Sequence, residues 1–161
     1  MDKIMVKRVN ANYSKDHDVE NIMRYVCSEK QEHQHTQLHY WDTRGLPKNL
    51  EKAIALLKAS QQYMGKDTGR RINHIIISFP ETIQDVKLVY IIANHLADYL
   101  GKEYTLIYGI HTDTNHLHIH FALNTISYRT GKKFHTNQKE FAEWKRQILI
   151  QIENILAEWK I

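Results

Sequence analysis

The segment from Gly109 to Asn124 reads Gly-Ile-His-Thr-Asp-Thr-Asn-His-Leu-His-Ile-His-Phe-Ala-Leu-Asn. Four of the chain's 11 histidines fall between His111 and His120. Imidazole serves as metal ligand, general base or nucleophile near neutral pH, so this density is a chemical signal. In an extended strand alternate side chains share a face. His116, His118, His120 and Asn124 therefore point one way, while Leu117, Ile119, Phe121 and Leu123 point into a core. A turn through Thr112-Asp113-Thr114-Asn115 brings His111 back beside the polar face. Three imidazoles from two neighbouring strands can then make a three-nitrogen metal site with open positions for a substrate oxygen. Asp113, at the turn, is in reach of an imidazole N–H, where a carboxylate fixes the tautomer and raises ligand basicity. The plain alternative is the solvated face of an antiparallel hairpin, which alternates in the same way. Four histidines within ten residues, three of them alternating with apolar partners, weigh against it.

The surrounding elements must hold this segment in a sheet. Residues 4–9 read as a first strand, and Asp16 or Asp18 as the cap of a helix running to residue 28 with Val19, Ile22, Met23 and Val26 on its apolar face. Residues 30–49 are polar and rich in His and Gln, and read as a loop with a short strand near 38–41; its His33, His35 and His39 are assigned no ligand. A second helix covers 50–64, with Leu50, Ala53, Ile54 and Leu57 on one side, and 66–71 is a basic turn containing Gly69. Residues 72–79 form the clearest strand; its continuous apolar run predicts cover on both faces, and Pro80 stops it. A third helix spans 83–100, with Gly101 as its C′ residue. Residues 104–111 and 116–124 are two joined strands, 128–134 a turn around Gly131, and 138–160 a last helix carrying Phe141, Trp144, Ile148, Ile152, Ile155 and Trp159. The sum is a single α+β domain over 1–161, a largely antiparallel central sheet covered by helices.

Composition narrows the class. A chain of 161 residues and 19.1 kDa fits one domain. With 42% hydrophobic and 25% charged residues it is globular rather than disordered. Only 6 Gly and 2 Pro argue against a many-turned small sandwich. The single cysteine, Cys27, excludes an internal disulfide framework and suits a reducing compartment. The first residues carry no long apolar run, so no signal peptide is expected there, and nothing approaches the ~20 apolar residues of a membrane span. A net charge of +4 permits a polyanion partner, although many non-binders are equally basic.

Beyond the histidine strand, three stretches together resemble a known family. His111-x-Asp113, then His118-x-His120, three apolar residues and Asn124 are similar to motif III of the conjugative relaxases. The class is the MobA/VirD-like (MOBP) one, which includes plasmid mobilisation relaxases and the T-DNA border-nicking endonuclease, within the endonucleases named for a His-hydrophobic-His core. His74-Ile75-Ile76-Ile77-Ser78-Phe79-Pro80 resembles motif II, whose serine contacts DNA near the cleavage site. Met23-Arg24-Tyr25-Val26-Cys27-Ser28-Glu29-Lys30 resembles motif I, a helical tyrosine followed by small polar residues and a lysine. The motifs occur in family order. The resemblance implies an α+β relaxase domain that nicks one DNA strand at a transfer origin by tyrosine transesterification. It implies a 5′-phosphotyrosine link to single-stranded DNA, dependence on Mg2+ or Mn2+, a bacterial cytoplasmic location, and accessory nicking proteins and a type IV secretion coupling protein as partners. His111, His118 and His120 would be the metal ligands, Tyr25 the nucleophile, and Asp113 would orient an imidazole or help take the tyrosine proton. Most relaxases continue into further regions, so a chain ending at Ile161 is either a piece of one or a stand-alone nicking domain.

Helix geometry bears on the tyrosine. At ~100° per residue, Tyr25 lies roughly 110° from the centre of the Val19/Ile22/Met23/Val26 face, on the flank of the helix. That position suits a tyrosine projecting into a cleft, and equally a boundary tyrosine with a wet tip; the resemblance favours Tyr25 over Tyr13. Ser78 is either a DNA contact or a strand-end serine bonded to backbone. His74 reads as structural rather than as a ligand, and His116, next to the turn, as a contact to DNA or solvent. Arg70, Arg71, Lys132 and Lys133 are phosphate-binding candidates or members of solvated basic loops. Two rival readings remain. Alternate histidines at 116, 118 and 120 also resemble the histidine-triad nucleotide hydrolases, but that leaves His111-x-Asp113, Ser78 and Tyr25 without roles. The other is a non-catalytic single-stranded-DNA-binding module with a structural metal.

Overall fold

A computed structural model of the chain describes residues 3–27, 38–112, 114–134 and 137–159. The elements run β1 (Met5–Arg8), α1 (Asp16–Val26), β2 (Leu38–Arg44), α2 (Leu50–Tyr63), β3 (Ile72–Ser78), α3 (Val86–Gly101), β4 (Leu106–His111), β5 (His118–Asn124) and α4 (Gln138–Trp159). The strands form one sheet in the order β1-β3-β5-β4-β2, with every neighbouring pair antiparallel. This is the expected α+β architecture.

Period-two alternation divides the sheet's residues between two cores. Ile75, Ile77, Tyr108, Ile110, Ile119 and Phe121 are buried on one face in a core shared with α3 and α4. Ile72, Ile107 and Ala122 lie on the other, packed with Val19, Met23 and Val26 of α1 and Ala53, Ile54 and Leu57 of α2. That second cover reaches only part of its face. Further along, Met5, Lys7, Ile76, Ser78 and His118 keep access to solvent. The covered half anchors the sheet and the open half is where chemistry can occur.

Several boundaries depart from expectation for local reasons. β2 is a seven-residue edge strand rather than a loop with a short strand, because Tyr40 to Arg44 pair in register with Leu106 to Ile110. Its polar side chains satisfy an exposed edge and so hide the strand period. The α1 N-cap is Lys15; Asp18 reaches back to accept its backbone N–H at 3.0 Å, and Asp16 pairs with Arg71 instead of capping. α3 begins at Val86 rather than 83, since the Asp85 carboxylate accepts from the backbone N–H groups of Lys87 and Leu88. Gly101 is the last helical residue rather than C′, and a Cβ there would sit 2.9 Å from Arg44 Cβ, so the glycine serves close approach to β2. β5 starts at His118, because Leu117 O accepts from the Phe79 N–H and His116 Nδ1 lies 2.9 Å from Phe79 O, tying both to the turn. Gly131, at φ 71°, does make the expected tight turn, beside an Ile126–Lys133 bridge.

Candidate active site

Residues directly opposite one another in antiparallel strands share a face, so register decides which side chains meet. His111 pairs with His118, and His118 with Ser78, so these three form one row across β4, β5 and β3. The next row is Gly109, His120 and Ile76; the third holds Ala122 and His74. β1 extends the first two rows with Met5 opposite Ser78 and Lys7 opposite Ile76.

Tyr25 lies over this surface. The Val26 carbonyl, one of the acceptors left unpaired at a helix end, accepts from His111 Nε2 at 2.9 Å and ties the last turn of α1 to β4. The Tyr25 ring, 39% exposed, stands edge-on to His120, His111 and His74 at centroid distances of 5.2, 5.6 and 5.9 Å. Beneath it the His111 and His120 rings are 4.3 Å apart, His74 and His120 5.2 Å, and His118 and His120 5.9 Å. The structure thus brings together Tyr25, His111, His118 and His120, and adds His74, whose Nε2 lies 3.0 Å from His120 Nδ1. A histidine amid isoleucines reads as structural until the β3–β5 register places it next to His120. Asp113 lies outside the described residues.

Burial sets the charge of the cluster. Burial, reinforced by the neighbouring His111, His74 and His118, pulls His120 down to about 2. His74 is pulled down to about 4, by burial and then by His111. Both rings are therefore neutral near pH 7, the form that ligates metal. Among the described residues, no three His, Cys, Asp or Glu side chains are placed so that they would hold an ion as they stand. Two ring nitrogens are directed elsewhere, His111 Nε2 to Val26 and His120 Nδ1 to His74. The set nonetheless fits a cation in its chemistry: closely spaced imidazoles on paired strands, with His74 and His120 held neutral by burial.

The remaining candidates separate. Ser78 stands in the first row, half-buried beside His118. His116 is exposed at the turn, with Glu81 Oε1 3.8 Å from its Nε2. Asn124, expected to contact DNA, is buried. Its Oδ1 accepts from Gln61 Nε2 at 2.9 Å and from the Ile126 N–H at 3.1 Å, beneath α2. Arg71, expected to bind phosphate, is also buried: Nε donates to Gln61 Oε1 at 2.9 Å, and Nη1 pairs with Asp16. These bonds join α1 and α2 to the start of β3. Arg70 is half-buried and donates to Val9 O. Lys132 and Lys133 line a cavity of about 440 Å³ with Gly65, Lys66 and Thr68. Burial first, and then Arg71, lowers the Lys133 pKa. Lys66, in the basic turn, joins this cationic group by donating to Gly131 O.

The family model described as "Relaxase: MobA/VirD2-like, nuclease domain" matches residues 25–153. Protein rlx of Staphylococcus aureus is 29% identical over 91 residues, 56% of this chain and 28% of its own length. Protein MobA of Acidithiobacillus ferrooxidans is 32% identical over 97 residues, 55% of this chain and 22% of its own length. The chain therefore spans less than a third of the length of the curated relatives it matches. A solved structure described as "Molecular Basis of Vancomycin Resistance Transfer in Staphylococcus aureus" shares the fold, with a TM-score of 0.55 over 98% of this chain and 93% of that chain at 14% identity.

Proposed function

The chain belongs to the relaxase family as a MobA/VirD2-like nuclease domain, and from that membership we propose that it nicks DNA in mobilisation by tyrosine transesterification. The strand cut is single-stranded DNA at a transfer origin, in the bacterial cytoplasm, with accessory nicking proteins and a type IV secretion coupling protein as partners. Tyr25 Oη attacks the scissile phosphorus. An O–P bond to Tyr25 forms as the bond to the 3′ oxygen breaks, leaving a 5′-phosphotyrosine and a free 3′-OH. One proton leaves the phenol and one is gained by the 3′ oxygen, so the step is balanced and reversible. A phenol with an ordinary pKa of about 10 is a weak nucleophile at neutral pH and needs a partner for its proton. Asp113, two residues past His111, is the assigned carboxylate, orienting an imidazole or taking that proton.

His74 and His120, buried and neutral, cannot themselves offset phosphate charge. They suit ligation better than a cationic clamp. In this reading His111, His118 and His120 hold one divalent cation, Mg2+ or Mn2+. Such an ion supplies Lewis-acid polarisation of a non-bridging phosphate oxygen. Ser78 and His116 contact the strand near the cleft. Arg70, Lys132 and Lys133, with Lys66, bind backbone phosphates without reading sequence.

The observation that carries this reading is the Tyr25 ring lying 5.2 Å from His120 and 5.6 Å from His111. The test is incubation with a library of single-stranded oligonucleotides and Mg2+ or Mn2+, followed by a denaturing gel. A covalent protein–DNA band that disappears with chelator and in Tyr25→Phe is expected. An undiminished band in Tyr25→Phe would remove Tyr25 from the role.

A further inference from the structure

We propose that His74 is a positioning residue: it accepts the Nδ1–H of His120 and so fixes His120 as the tautomer whose Nε2 lone pair is left for the cleft. This rests on the reading of His120 as a ligand given above. A ring nitrogen can ligate only through a lone pair, and the hydrogen bond at the other nitrogen decides which one has it. For His111 the direction is set by its partner, because the Val26 carbonyl can only accept and Nε2 therefore carries a proton. The partner of His120 is another imidazole, which can donate or accept. If His74 donated, His120 would carry its proton on Nε2 and present no lone pair. If His120 donates, Nε2 is available. Only the second arrangement is compatible with ligation.

The surrounding residues show why a histidine at 74 can do this. His74 is opposite Ala122, whose methyl group leaves its ring room to lean along the sheet toward His120. Its own Nδ1 is buried and has no hydrogen-bond partner among the described residues. An orphaned buried polar atom costs stability, and an apolar residue in this run of isoleucines would avoid that cost. What the imidazole provides in return is the bond to His120. The same side chain also borders Tyr25, so its position couples the ligand ring to the nucleophile's surroundings.

Two measurements test the inference. Long-range proton–nitrogen NMR spectra of the metal-free protein, with the ring signals assigned through His74→Gln and His120→Gln, report which nitrogens bear protons. A protonated Nδ1 on His120 is expected, and a protonated Nε2 would overturn the inference. The second is calorimetric titration with Mn2+ of the wild type, His74→Gln and His74→Phe, with thermal unfolding to verify each fold. The Gln amide oxygen reaches the place of Nε2 and can accept, whereas Phe keeps a ring without nitrogens. His74→Gln should bind within about threefold of wild type and His74→Phe ~10–100-fold more weakly, the usual effect of an outer-shell partner. Equal affinity in His74→Phe and wild type would overturn the inference. If His74→Phe does not fold, His74→Asn replaces it; its amide is too short to reach His120, so it should bind weakly where His74→Gln binds, and equality again refutes the role. If the wild type binds no Mn2+, the metal reading fails, and the spectrum alone decides the His74–His120 pairing by the same criterion.

Discussion

Lowering the pH from 7.5 to 5 should destabilise the metal-free protein by about 4 kcal/mol through His74 and His120 alone. An unfolded histidine titrates at about 6.5, whereas the native values are about 4 for His74 and about 2 for His120. Both native values are depressed. Below about pH 6.5 the unfolded chain therefore binds protons that the native chain refuses, and stability falls as pH falls. Each histidine contributes a slope approaching ~1.4 kcal/mol per pH unit, which integrates to about 2 kcal/mol between pH 7.5 and 5. Against a typical domain stability of ~5–15 kcal/mol the sum is large. Urea unfolding in chelator at half-unit pH steps measures it. His74→Gln removes one of the two titrating groups and should leave a loss of about 2 kcal/mol. A stability that is flat across this window, or an unchanged slope in His74→Gln, would refute the argument that burial keeps these rings neutral.

Further expectations concern the ligands, a buried cation and a glycine. His120→Ala and His118→Ala should each weaken Mn2+ binding by more than the ~10–100-fold of an outer-shell loss; calorimetry giving wild-type affinity for either removes it from the ligand set. Arg71→Met should cost ~1–3 kcal/mol by leaving Gln61 Oε1 without its donor, with oligonucleotide affinity unchanged. Loss of affinity at full stability would show Arg71 to be a DNA contact after all. Gly101→Ala pushes a methyl group to 2.9 Å from Arg44 Cβ. Overpacking of ~1–3 kcal/mol, partly offset by the ~1 kcal/mol helix preference of Ala over Gly, should lower the melting temperature. A higher melting temperature would contradict the close-approach role.

What could be read from sequence was what depends on local period. Ile119, Phe121 and Leu123 of β5 are buried as alternation requires, and His111 returns beside His118 because a short turn joins antiparallel strands. Tyr25 lies off the buried stripe of α1, as its helical angle predicts. What escaped depends on which half of a sheet face a helix covers. Asn124 shares its face with His120, yet α2 reaches that end and Gln61 takes its amide. Arg71 and Arg70 are adjacent and look alike in sequence, but only Arg71 turns inward to Gln61 and Asp16. His74 needed the pairing of β3 with β5 before it could be seen as a neighbour of His120, and pairing between distant segments leaves no periodic trace.

The proposed chemistry turns on one atom, the phenolic oxygen of Tyr25. The most direct test is mass spectrometry of a protein–DNA adduct trapped with single-stranded oligonucleotide and Mn2+, digested to locate the peptide that bears the nucleotide. The account predicts a 5′-phosphate ester on Tyr25. A modified Tyr13 would keep the reaction class and overturn the assignment of the nucleophile. Modification of a histidine in the 116–120 segment would contradict the account and favour a histidine nucleophile, and no adduct under any metal or oligonucleotide would leave a module that binds DNA without cutting it.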